Sequence, residues 1–139
     1  MSALDQLLSA LKEAKQGDNA LDVQMSVLID PPARFVSERR ANAAGTKVIN
    51  TYQHHDGTTT QETVWPEDFT TRIDPGLRLL DRALPDFDWI IGKTNGGLTC
   101  HAEVGPFPLA FGETPALALC IAIVQAVIAE ASQPPKGGA

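Results

Sequence analysis

Cys100 and His101, a thiol next to an imidazole, are the first residues in this sequence that suggest catalytic chemistry. Such neighbours act as nucleophile and base only when both side chains reach the same reacting atom. They lie in an alternating segment that predicts a strand, in which consecutive side chains point to opposite faces. Cys100 shares its face with the apolar Ala102 and Val104, so we interpret it as a core residue and predict no catalytic residue.

Three histidines could instead contribute to a metal or ligand site. His54 and His55 precede a predicted hairpin turn, and His101 shares the polar face of its strand with Glu103. A metal ion needs three or four converging ligands, and only neighbouring hairpins would bring these side chains together. We predict no metal and no cofactor. A pocket of His101, Glu103 and the pair His54 and His55, in a small enzyme or a metal- or ligand-binding protein, is the alternative hypothesis.

Charge and composition narrow the classes of function. The 139 residues carry a net charge of −6, which disfavours nucleic-acid binding because phosphate backbones require a basic surface. We interpret the scattered carboxylates as a solvated surface. The basic residues Arg34, Arg39, Arg40 and Lys47 are the basis of a third hypothesis, nucleic-acid binding, which predicts strongly salt-dependent association.

The sequence also suggests where the protein works. Its beginning lacks the basic and apolar segments of a signal peptide. The apolar run at residues 115–129 is shorter than the roughly 20 residues that a transmembrane helix needs. Two cysteines are too few for a disulfide framework. We therefore expect a cytoplasmic protein that does not contact a membrane.

Four helices are predicted. Leucines at helical spacing in residues 4–11 indicate the first, and a second follows it directly. Asp74 and Thr114 each stand before a proline and are predicted N-caps of the third and fourth helices. The fourth, residues 115–129, is apolar on almost every side except at Gln125, so it must be covered on more than one face and form the core.

Two pairs of alternating segments, each joined by a two-residue turn, predict hairpins. They are residues 47–54 and 58–65 around Asp56-Gly57, and residues 87–91 and 98–104 around Asn95-Gly96. A short strand is expected at residues 109–111. Trp89 alternates with apolar neighbours and is predicted to lie in the core. Residues 33–46 have no clear period and receive no predicted element.

These elements predict an α+β fold, a three-layer α-β-α sandwich. Its mainly antiparallel sheet is built from the two hairpins, and helices lie on both faces. A single domain would span residues 1–132. Residues 133–139, rich in proline and glycine, are predicted to be a disordered tail.

Several segments resemble the phage ABA sandwich domain family, small proteins encoded by bacteriophages and prophages. They are the leading helix followed by Leu21-Asp22, residues 69–80 (FTTRIDPGLRLL), residues 114–122 (TPALALCIA) and the strand that contains Trp89. Residues 31–66 lie largely outside the resemblance. The resemblance implies helix layers around a sheet and no established activity, so it assigns no functional residue.

The resulting hypothesis is a non-enzymatic phage or prophage accessory protein that binds a host or phage protein in the bacterial cytoplasm. Its recognition surface would be residues 45–66 and the arginine-bearing loop before them, because function is often carried by such variable segments. Trp65 ends a polar, threonine-rich strand and is predicted to be an exposed anchor. The expected partner-binding residues are Trp65, Tyr52, Arg39 and Arg40. No pattern specifies the oligomeric state.

Overall fold

The computed structural model describes residues 2–94 and 99–132, which form four helices and six strands. The helices are α1 (Ala3–Glu13), α2 (Asn19–Leu28), α3 (Ile73–Ala83) and α4 (Pro115–Ser132). The strands are β1 (Val36–Ala41), β2 (Val48–Gln53), β3 (Thr59–Val64), β4 (Trp89–Thr94), β5 (Thr99–Val104) and β6 (Ala110–Gly112). The predicted turn at Asn95-Gly96 and the predicted tail at residues 133–139 lie outside the described residues.

The strands form two antiparallel sheets of three strands each, in the orders β1-β2-β3 and β4-β5-β6. Helix α2 contacts the first sheet, and α4 contacts all three strands of the second. The predicted α+β fold with helices packed on antiparallel strands is confirmed. The two predicted hairpins lie in separate sheets. The first sheet also contains β1, and the second also contains the expected short strand, β6.

Strand β1 lies in the segment for which the sequence predicts no element. A register shift between Val36 and Glu38 interrupts its alternation. A charged residue such as Arg39 is ordinarily expected to face solvent. Its side chain instead points towards α2 and donates to the backbone oxygen of Ser26. Just before the strand, Phe35 has a φ of 72°, a left-handed conformation that also ends any regular period.

Helix α4 is the centre of the core, packed between the second sheet and helices α1 and α3. The predicted N-cap is confirmed, because the Leu117 N–H donates to Thr114 Oγ1 at 3.1 Å and the helix begins at Pro115. Among the described helices, α4 alone is long and apolar enough to cross a membrane by composition, yet 56% of it is buried inside the fold. That burial is typical of a core helix.

Two local predictions are wrong. Helix α3 begins at Ile73 with Arg72 in the N-cap position, so Asp74 lies in the first turn instead of capping it. Proline is tolerated at position 75 in the first turn, because the N–H groups of this turn have no acceptor within the helix and proline has no N–H to lose. Trp89 is 43% exposed, because it is the first residue of β4, an edge strand whose outer side pairs with none of the described strands.

A buried polar link joins α2 to the segment before α3. The Asp22 carboxylate is 4% exposed, and its Oδ1 accepts hydrogen bonds from the Thr70 N–H at 2.8 Å and Oγ1 at 2.7 Å. Burial raises the pKa of Asp22 above its ordinary value. Both residues belong to segments that carry the family resemblance, so those segments contact each other in the fold.

Candidate functional site

The first sheet has one face that is covered by α2, and Arg39 lies on it. Arg39 is paired in register with the buried Asn50. Its guanidinium donates to Asn50 Oδ1 at 2.9 Å and to the backbone oxygens of Asp30 at 2.8 Å and Ser26 at 3.2 Å. Three acceptors within the fold occupy this side chain. We therefore interpret Arg39 as the residue that holds β1 against α2.

Ion pairs link α3 to the segments that follow α2 and β3. Arg82 contacts the Asp30 carboxylate at 2.9 and 3.0 Å and Glu67 at 3.1 Å, and Arg78 contacts Glu67 at 3.3 Å. Hydrogen bonding to Asp30 raises the pKa of Arg82 further above its ordinary value. Glu67 lies two residues beyond Trp65, so these contacts restrain the chain where β3 ends.

The opposite face of the first sheet, which we call the open face, carries Arg40, Lys47, Ile49, Thr63 and Trp65. Arg40, Ile49 and Thr63 form a row across the three strands. Lys47 and Trp65 flank an inward-facing pair of valines, and the Lys47 Nζ lies 4.5 Å from the centre of the Trp65 ring. Trp65 is 67% exposed, so its predicted exposure is confirmed. The α2 helix, on the other face, is the only described helix that contacts this sheet.

The expected partner-binding residues therefore divide between the two faces. Arg40 shares the open face with Trp65 and pairs with Glu38 at 3.3 Å. Tyr52 lies on the same face as Arg39, and its hydroxyl donates to the Glu62 carboxylate at 2.8 Å. That hydrogen bond raises the pKa of Tyr52. The structure brings Arg40 and Trp65 to one surface and separates Tyr52 and Arg39 from it.

Strand β3 is a free edge of the first sheet, because among the described strands it pairs only with β2. The pairing is regular from residue 59 to residue 64. Five of the six side chains are exposed, and the strand contains no proline. Edges of this kind accept a further strand, whereas a bulge such as that in β1 discourages pairing.

The structure does not gather the histidines. His54 Nε2 lies 2.9 Å from Thr60 Oγ1, and the His55 ring packs edge-on against Phe35. These are contacts of the first sheet, whereas His101 lies in the second sheet beside Phe111. The neighbouring hairpins that the alternative pocket requires are therefore not formed. Within residues 2–94 and 99–132, no three His, Cys, Asp or Glu side chains are close enough to hold a metal ion.

Both cysteines lie in the core as free thiols. Cys100 is 6% exposed, which confirms the prediction from strand alternation. The Cys120 thiol donates to the backbone oxygen of Phe69 at 3.2 Å. Burial raises the pKa of Cys120 well above its ordinary range. Cys120, which is buried and has a raised pKa, is therefore interpreted as a structural thiol.

The second sheet exposes an apolar surface that the sequence analysis did not predict. Ile90 and Phe111 are 61% and 56% exposed. The run Trp89-Ile90-Ile91 could have predicted this surface. Side chains of a strand alternate between its faces, so three consecutive apolar residues place one on the outer face. Such a run is usually interpreted as a strand buried on both sides.

Comparison of the chain with models of protein families, with curated proteins and with solved structures gives no match. The geometry of the described residues defines the candidate site. It consists of the open face of the first sheet and the adjoining free edge of β3.

Proposed function

We propose that this chain is a non-enzymatic phage or prophage accessory protein that binds a host or phage protein in the bacterial cytoplasm. The observation that carries the binding function is the exposure of Trp65, which is 67% accessible at the end of β3. Tryptophan is enriched among the residues that contribute most to protein interfaces. The phage origin rests on the sequence segments that resemble the phage ABA sandwich domain family.

The surroundings of Trp65 favour its use as an anchor. Lys47 lies over the ring at 4.5 Å, a contact that stabilises an exposed pair by about 0.5–1 kcal/mol. The ion pairs of Glu67 with Arg78 and Arg82 restrain the following segment. A side chain that is already positioned loses less conformational entropy on binding.

The binding mode that we propose is addition of a strand from the partner to β3. The strand ends at Val64, directly before Trp65, so an added strand would place its side chains beside the indole. Backbone hydrogen bonds to the edge would supply affinity, and the contact with Trp65 would supply specificity.

Affinity capture with matched variants tests this function. The tagged protein, its Trp65→Ala variant and a Phe35→Ala control are each used to capture proteins from lysates of growing and phage-infected bacteria. Phe35 is also aromatic and is 52% exposed, but it lies just before β1. We expect a stoichiometric protein with the parent and with Phe35→Ala, and its loss with Trp65→Ala. Retention of that protein by Trp65→Ala, or no protein captured by the parent from either lysate, contradicts the proposal.

A further inference from the structure

The second sheet has an uncovered face with large apolar side chains. Helix α4 packs on the face that carries the buried Ala102 and Val104. On the other face, Ile90 lies opposite Glu103 and Phe111 lies opposite His101. These are neighbouring cross-strand rows, so Ile90 and Phe111 belong to one surface. Glu103 and His101 of the central strand lie between them, and exposed large apolar side chains on an uncovered face are typical of interaction sites.

A cleft of about 300 Å³ opens at the end of this surface, where β4 begins and β5 ends. Its apolar lining includes Phe87, Trp89 and Ile90, and its carboxylates are Asp86, Asp88 and Glu103. Gly105 makes the close packing there possible, since a Cβ at this position would lie 2.6 Å from Phe87 Cδ1. The cleft and the apolar face are continuous through Ile90.

The cleft is lined by three carboxylates and by no arginine or lysine among the described residues, which sets it apart from five acidic groups elsewhere. Asp30, Glu38, Glu67, Asp74 and Glu113 each have an arginine or lysine within 4.0 Å. Among the described residues, the side chains of Asp86, Asp88 and Glu103 form no ion pair of this kind. Carboxylates without a neutralising cation complement a guanidinium or ammonium group.

We propose that the uncovered face of the second sheet and its cleft bind a basic, amphipathic segment of a partner protein. The apolar side chains of the segment would cover Ile90 and Phe111, and an arginine or lysine would enter the cleft beside Trp89. A metal ion does not fit, because no three ligand side chains converge within the described part of the chain. The net charge of −6 adds long-range attraction for a basic partner. This surface is separate from the open face that carries Trp65.

Peptide binding to the full chain tests the charge complementarity. The probe is a fluorescent peptide of alternating arginine and leucine, and a peptide of alternating glutamate and leucine is its charge-reversed control. Binding is measured by fluorescence anisotropy at low and physiological salt. The combined variant Asp86→Asn, Asp88→Asn, Glu103→Gln should weaken binding of the basic peptide by about tenfold or more.

A control variant separates a specific cleft from general electrostatic attraction. Glu13→Gln, Asp81→Asn and Glu130→Gln remove the same amount of charge elsewhere, and together they should weaken binding by less than about twofold. The substitutions Ile90→Thr and Phe111→Thr should weaken it by about fivefold, through loss of apolar contact. Thermal unfolding of each variant checks that its fold is retained.

Tryptophan fluorescence tests where on the protein the peptide binds. The chain contains two tryptophans, so in a Trp65→Phe variant Trp89 is the only indole reporter. Binding of the basic peptide should change Trp89 fluorescence with an unchanged affinity. Equal weakening in the two charge variants, or equal binding of the acidic peptide, overturns the proposal. So does spermine that binds as tightly as the basic peptide. The absence of measurable binding of the basic peptide, or of any change in Trp89 fluorescence, also overturns it.

Discussion

At the scale of single residues, Asp22 is a buried carboxyl group whose ionisation affects the stability of the fold. It is buried, it accepts two hydrogen bonds from Thr70, and burial raises its pKa. No arginine or lysine forms an ion pair with it among the described residues. The native state therefore binds a proton at this site more tightly than the unfolded chain does.

Replacing Asp22 by Asn should change the pH dependence of stability. The raised pKa means that the contribution of Asp22 to the free energy of unfolding is fully present at low pH and is lost as pH rises through the folded pKa. Relative to Asp22→Asn, the parent should gain about 1.4 kcal/mol for each unit of pKa difference as pH falls from about 7 to about 4. Urea unfolding of both proteins across this range measures the difference. A constant or reversed difference would show that the carboxyl has no raised pKa.

At the scale of elements, the neighbouring residues Arg39 and Arg40 provide a matched test of how β1 is attached. Arg39 donates to Asn50 and to two backbone oxygens, whereas Arg40 is on the open face and pairs with Glu38. Arg39→Met should lower the free energy of unfolding by about 1–3 kcal/mol, because partly buried acceptors lose their donor. Arg40→Met should change it by less than about 1 kcal/mol. Similar losses from the two variants, measured by chemical denaturation, would be incompatible with this division of faces.

The free edge of β3 gives a second prediction at this scale. The Gln53 N–H donates to Phe35 on the β1 side, so alternation across the register places the Gln61 N–H on the outer edge. Gln61→Pro should therefore preserve the fold and abolish partner capture, since proline at an outer position blocks strand addition. Glu62→Pro, which removes a bond within the sheet, should destabilise the fold much more. If Gln61→Pro still captured the partner, binding through Trp65 would stand without strand addition.

Caps, turns and apolar spacing are local signals, and they located the four helices, although the cap predicted at Asp74 was wrong. Thr114 before Pro115 located α4, and the alternation around Cys100 identified the buried face of β5. Strand β1 was not predictable in this way, because its bulge and the inward Arg39 depend on contacts with β2 and α2. The exposure of Trp65 followed from its polar strand, but its contact with Lys47 depends on cross-strand register.

At the scale of the whole molecule, the two sheets are built around helices and each leaves one face open. Helix α2 covers one face of the first sheet, and α4 covers one face of the second. The open faces differ in character, since one carries Trp65 with Lys47 and Arg40 and the other carries Ile90 and Phe111 beside unpaired carboxylates. Two such surfaces would allow the chain to contact two partners at once.

Hydrogen exchange should reveal a gradient of local stability across this architecture. Residues Ala116 to Val124 of α4 are all buried, whereas β3 is an exposed edge strand that contacts none of the described helices. Amides within α4 should therefore exchange only through global unfolding, and those of β3 should exchange faster through local opening. Residue-resolved exchange measured by NMR checks this order. Equal protection of β3 and α4 would indicate that the molecule opens only as a single unit.

The position of α4 in the chain also has a consequence for synthesis on the ribosome. Each element that packs against α4 precedes it in the sequence, and translation adds about 5–20 residues per second. Until α4 emerges from the ribosome, it cannot cover the apolar surfaces that pack against it. These are the inner face of the β4-β5-β6 sheet and the apolar sides of α1 and α3. We expect the nascent chain to remain a substrate for chaperones until then, and to form its core in one late step.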